Sequence, residues 1–156
     1  AFTASVCNLR PESRGSVHAV TPHFTDAPAI RPNYLSTAGD RRVAAAAIRL
    51  TRRIMAQPPM LKHDPAEYKP GIAFQNDAEL AQAAGQIGTT IFHPVGTAKM
   101  GGDEKAVVDE RLRLHGIDGL RIIDASVMPT ITSGNTNAPV LMIAEKGAAM
   151  IRADRR

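Results

Sequence analysis

The residues that could do chemistry in this chain cluster between His93 and Pro139. His93-Pro94-Val95-Gly96-Thr97 supplies an imidazole, and the apolar run Leu120-Arg121-Ile122-Ile123 ends on Asp124-Ala125-Ser126. Ser133-Gly134-Asn135-Thr136-Asn137-Ala138-Pro139 is a polar stretch that opens a helix. An imidazole titrates near neutral pH and can take a proton from a hydroxyl. An Asp at a strand end organises a turn. A helix start carries about +0.5 charge. Oxidation of an alcohol removes a proton from oxygen and a hydride from the adjacent carbon, and it needs a base, a turn and a polar helix start of this kind close together.

The other histidines carry less. His18 and His23 lie in exposed-looking segments, His63 in a proline-rich one and His115 in the turn before Gly116, and all four read as surface residues. Cys7 is the only cysteine, which excludes an intrachain disulfide. No Cys/His spacing of a metal site surrounds it, and no metal is expected.

The chain of 156 residues is long enough to bury a real core, and length alone suggests one domain. Its 44% hydrophobic and 22% charged residues are ordinary for a globular protein. The net charge of +4 raises the possibility of a nucleic-acid partner. The cationic residues are scattered, however, with small groups at Arg41-Arg42, Arg52-Arg53 and Arg152 to Arg156, and aromatic content is only 4%. No nucleic-acid partner is expected, because a single-strand platform needs exposed rings. No apolar run nears the about 18–20 residues of a membrane span, and Ala1-Phe2-Thr3-Ala4-Ser5 lacks the basic start and apolar block of a signal peptide. A cytoplasmic location is expected, with peripheral contact at the inner membrane left open. The chain lacks an initiating Met and reads as a piece of something longer.

Residues 1–35 read as extended, with strands at Ser5–Leu9 and Gly15–Val20 and an irregular connection around Pro28, Pro32 and Asn33. Val43, Ala47, Leu50 and Ile54 recur at helical spacing and predict a helix over 39–56 with that face inward. Thr37 and Asp40 resemble a capping box, and Pro58-Pro59 is expected to end the helix. A second helix is expected after Asn76, capped by Glu79 and running to about Gln86. Val107-Val108, Leu112-Arg113-Leu114 and Leu120 to Ile123 read as short strands. A last helix is expected over 138–152, with Pro139 in its first turn and Leu141, Ala144, Ala148 and Ile151 inward.

Read together, these motifs resemble the glucose–methanol–choline (GMC) oxidoreductases, which are flavoproteins, and most of all their choline dehydrogenase-like branch. Arg10-Pro11-Glu12-Ser13-Arg14-Gly15, Asn33-Tyr34-Leu35 and Ile143-Ala144-Glu145-Lys146 match that branch as well. The resemblance covers almost the whole chain, and it is the ordered set of motifs that is specific. Members of the family begin with a Gly-x-Gly-x-x-Gly turn that holds the FAD pyrophosphate at a helix N-terminus. That motif is not in this sequence: Gly96 and Gly101-Gly102 lack its spacing.

The resemblance implies a role for each site residue. His93 matches the family's catalytic histidine, the base for the substrate hydroxyl. Asn135, 42 positions on, matches a second active-site position held by His or Asn. Its amide can donate to the substrate oxygen without competing for the proton. Asn137 would face the flavin pyrimidine and could also cap the helix. Asp124 and Ala125 would lie at the FAD diphosphate–ribityl region, Asp124 organising the turn and Ala125 donating its N–H. Phe92 would lie on the substrate side.

The implied fold is α/β (α+β): a substrate-side sheet with covering helices, then the strand and helix that return to the FAD domain. Residues 1–90 would form the substrate-side segment and 91–156 the active-site strand and the return, with the N-terminal Gly-rich half absent. The implied function is FAD-dependent oxidation of a primary, choline-like alcohol to the aldehyde, with this chain inactive alone. A non-catalytic remnant of such an enzyme is the alternative, and a basic binding module is less favoured.

Overall fold

The computed structural model describes residues 1–154 and divides them into two compact units, Ala1–Ile91 and a second from Phe92 onwards. Arg155 and Arg156, the end of the basic group at 152–156, lie outside the described residues.

The first unit opens with an antiparallel pair, β1 (Ser16–His18) and β2 (Ala29–Arg31), in which Val17 faces Ile30. The flanking prolines had suggested an irregular connection at β2, but the three residues between Pro28 and Pro32 keep their N–H groups and can pair. Ser5 to Leu9 form no strand, and Asn8 turns its side chain to Asp40 instead.

Helix α1 spans Ala38–Met55, and Thr37 caps it by accepting the Asp40 N–H at 3.1 Å. The return half of the expected capping box does not form. An Asp side chain is one methylene shorter than the Glu of that motif. The Asp40 carboxylate instead accepts from Asn8 Nδ2 at 3.1 Å, from the Glu12 and Ser13 amides at 2.9 and 2.8 Å, and from the Ser13 hydroxyl. Ser13 Oγ in turn accepts the Ser36 N–H at 3.0 Å and the Thr37 N–H at 3.4 Å. The serine thus serves the cap amide that a Glu would have reached.

The apolar stripe expected to face inward on α1 does not: Val43, Leu50 and Ile54 are exposed. The buried positions are Asp40 and Ala45, and α1 packs on α3 (Asp77–Ile87), which buries Leu80, Ala81 and Ala83. Small side chains there let the two helices close. Between them, Pro58-Pro59 does not merely stop α1. It forms the first turn of a short helix, α2 (Pro58–Leu61), where the missing N–H groups cost little. Arg52 then ties down the irregular stretch that follows. Its guanidinium meets both Glu67 carboxylate oxygens at 2.9 Å, and it donates to the Gly71 and Phe74 carbonyls at 3.1 and 2.9 Å. Helix α3 begins as its sequence implied. Asn76 Oδ1 accepts the Glu79 N–H at 2.9 Å, and Glu79 accepts the Asn76 N–H at 3.4 Å.

The second unit is built on Val108, Leu112, Val127, Met128 and Ile143, all buried, with Val95, Met100, Ile123 and Val140 packed around them. The three strands expected here reduce to isolated bridges, Met100 to Val108, Val108 to Leu114 and Arg113 to Arg121. Chain reversals at Leu112 (φ +63°), Gly116 (φ +79°) and Gly119 (φ +76°) leave no run long enough for a ladder. Helix α4 spans Asn137–Asp154. It buries Ile143 and Gly147, whereas Leu141 and Ala144 of the expected face are exposed. Ile123 explains the shift. Its side chain lies 2.7 Å from where a Gly147 Cβ would be, so the helix turns its glycine to the core. At the far end Asp154 receives Arg111 at 2.7 Å and also Arg121.

Candidate active site

Every sequence-predicted site residue lies in the second unit. Its framework is one 3₁₀ turn, Ala125–Val127. The Asp124 carboxylate accepts the Ser126 N–H at 2.7 Å, and its carbonyl accepts the Val127 N–H at 3.3 Å. Asp124 is therefore the organiser of this turn. The Ala125 N–H is the first of the turn and has no place in its ladder.

The loop after His93 hangs on that turn. Ala98 donates its N–H to the Ser126 carbonyl at 3.1 Å, and Met100 donates to the Val127 carbonyl at 2.8 Å. Gly96 makes the approach possible. Its φ is +86°, and a Cβ there would lie 3.3 Å from the Met128 carbonyl oxygen. Val95, two residues after the histidine, packs on the core.

His93 is half-buried, and its Nδ1 lies 3.0 Å from Thr136 Oγ1. Thr136 is only 7% exposed and immediately precedes α4, and its carbonyl accepts the Val140 N–H at 3.0 Å. Asn135 and Asn137 flank it and are both exposed. The geometry thus brings the imidazole against the segment that carries Asn135, and the residue it touches is Thr136. Asn137 is the first residue of α4, so the cap position expected for it belongs to Thr136. Phe92 is 79% exposed, with φ +62°.

Elsewhere, His18, His23, His63 and His115 are exposed, as their sequence surroundings implied. His115 Nε2 reaches the Gly101 carbonyl at 3.3 Å. A hollow of about 530 Å³ in the first unit is lined by Ala46, Arg49, Arg52, Arg53 and Gln75 and contains none of these residues. Arg49 there pairs with Asp77, and Arg52 with Glu67.

Comparison with known proteins places the whole assembly. The profile of a family described as GMC oxidoreductase matches residues 11–144. The chain belongs to the GMC oxidoreductases. It is 46% identical over 151 residues to the oxygen-dependent choline dehydrogenase of Citrobacter koseri. It is 42% identical over 150 residues to an alcohol dehydrogenase (acceptor) of Pseudomonas putida. These matches cover 97% and 96% of the GMC chain and 27% of each relative, so it spans about a quarter of their length. The solved structure of an FAD-dependent oxidoreductase from Chaetomium thermophilum superposes with a TM-score of 0.88 at 30% identity, over 95% of this chain and 26% of that one. The mixed helices and small sheet are those of the C-terminal portion of a GMC flavoprotein.

Sequence reasoning missed Thr136. Its signal was present in Pro139, three positions on, which denies a capping hydroxyl its usual amide.

Proposed function

We propose that this chain supplies the active-site end of an FAD-dependent oxidoreductase that converts a primary, choline-like alcohol to its aldehyde. It would work together with a Gly-rich FAD-binding half. The observation that carries the reading is the His93–Thr136 hydrogen bond, which seats an imidazole beside Asn135 and Asn137 at the start of α4.

In this reading His93 takes the proton of the substrate hydroxyl. The Asn135 amide donates to the substrate oxygen and holds it as negative charge develops there. A bound FAD would supply the acceptor for the hydride of the carbinol carbon. The donors present suit that cofactor. The Ala125 N–H stands outside the 3₁₀ ladder, the Asp124 carboxylate is engaged by Ser126, and α4 starts with the exposed amide of Asn137. Ala125 would donate to the diphosphate–ribityl region. Asn137 and the positive end of α4 would face the pyrimidine. Phe92, exposed beside the histidine, would line the substrate side, where an aromatic ring suits a quaternary ammonium group. The test is anaerobic addition of choline and other primary alcohols to the flavin-loaded enzyme. Bleaching of the flavin band is the expected result, and a band unchanged by every alcohol would end the assignment.

A further inference from the structure

Thr136 holds the position from which a helix-capping hydroxyl normally accepts an N–H two or three residues on. For Ser and Thr the favoured partner is the third helical residue. Since α4 begins at Asn137, that residue is Pro139, which has no N–H. The imidazole stands there instead, with Nδ1 at 3.0 Å from Oγ1. Thr136 is buried, so water competes little for the bond.

In a neutral imidazole one nitrogen carries the proton, and the bond made by the other end of the ring decides which. A hydroxyl left as an acceptor favours the proton on Nδ1. Nε2 then keeps its lone pair. A ring that takes a substrate proton needs that bare nitrogen.

We infer that Thr136 is a positioning residue that accepts the Nδ1–H of His93 and so presents Nε2 as the proton acceptor. The inference rests on the reading of His93 as the base. Pro139 has an indirect part, because it removes the favoured of the two backbone competitors for the Thr136 lone pair.

Long-range ¹H–¹⁵N correlation spectra of histidine-labelled, flavin-loaded enzyme, recorded where His93 is neutral, test this directly. The wild type should show a protonated Nδ1 and a bare Nε2. Thr136→Ser should keep that pattern and a near wild-type kcat. Thr136→Val should lose the single tautomer and lower kcat on the order of tenfold, with KM little changed. Thr136→Ala serves in its place if the valine variant does not fold. A wild-type ring protonated on Nε2 overturns the inference, as does an unchanged tautomer in the variants that lack the hydroxyl. His93→Ala keeps the two readings apart. Full turnover in that variant removes the base, whereas the ring spectra alone decide the part played by Thr136.

Discussion

The Ser13 hydroxyl donates to the Asp40 carboxylate while accepting the backbone N–H groups of Ser36 and Thr37. One side chain therefore joins the Arg10–Gly15 turn to the start of α1, around a carboxylate that is only 4% exposed. Burial pushes the Asp40 carboxyl up. The Ser13 hydroxyl, the Glu12 and Ser13 amides and Thr37 together outweigh that, and the net shift is downward from 3.8. Loss of the carboxylate would strand several part-buried donors. Asp40→Ala should cost at least about 2 kcal/mol in denaturant unfolding, and a loss within error would make the network decorative.

Acid should act through this carboxylate and others held low, of which Glu67, in contact with Arg52 and Gly71, is the most buried after Asp40. Hydrogen bonding from Arg52 is the main reason that Glu67 is also held below its ordinary 4.5. A group with a lowered folded pKa binds fewer protons folded than unfolded. Its contribution is complete above the ordinary values of 3.8 and 4.5 and drains away as pH falls through the lowered ones. Melting temperature should therefore hold between neutral pH and about 5 and fall below about 4. The fall should be shallower in Asp40→Asn, measured relative to that variant's own neutral value. An equal slope would move the acid sensitivity elsewhere.

Gly147 has no room to grow. A Cβ would stand 2.7 Å from Ile123 Cγ2. Gly147→Val should destabilise by about 1–3 kcal/mol through overpacking. Ile123→Ala, which removes every atom of that contact, should recover part of that loss in the same chain, and additivity of the two substitutions would refute the proposed clash.

Helix α3 offers a smaller and cleaner measurement. Asn76→Ala removes the side-chain half of its capping box and should cost about 1 kcal/mol by chemical denaturation.

For the chemistry, His93→Ala should reduce turnover of the flavin-loaded enzyme by on the order of a hundredfold or more, with flavin content retained. Asn135→Ala should reduce kcat on the order of a hundredfold if its amide holds the developing oxyanion. Unchanged kinetics would leave Asn135 a turn residue.

Local signals were legible where one short-range interaction decides the outcome. Asn76 and Glu79 gave the start of α3 because both halves of that cap lie within four residues. Family membership was legible because several short motifs occur in order along almost the whole chain. Helix faces were not. Val43, Leu50 and Ile54 keep a helical period, but it is Ala45 that is buried, and a period alone does not say which side its partners will cover. On α4 a single glycine opposite Ile123 moved the buried stripe. The strands around Val108 failed because β pairing depends on partners elsewhere in the chain, and the intervening turns left only single bridges. Thr136 escaped notice because its partner lies 43 residues away and its sequence neighbours are the more familiar amides.

The bonds from Ala98 to Ser126 and from Met100 to Val127 weld the stretch behind the imidazole to the Asp124 bend. Histidine and bend are consequently linked through the backbone. Damage to either will register at both, so a lesion remote from any reacting atom can mimic the loss of the imidazole while leaving that ring chemically whole.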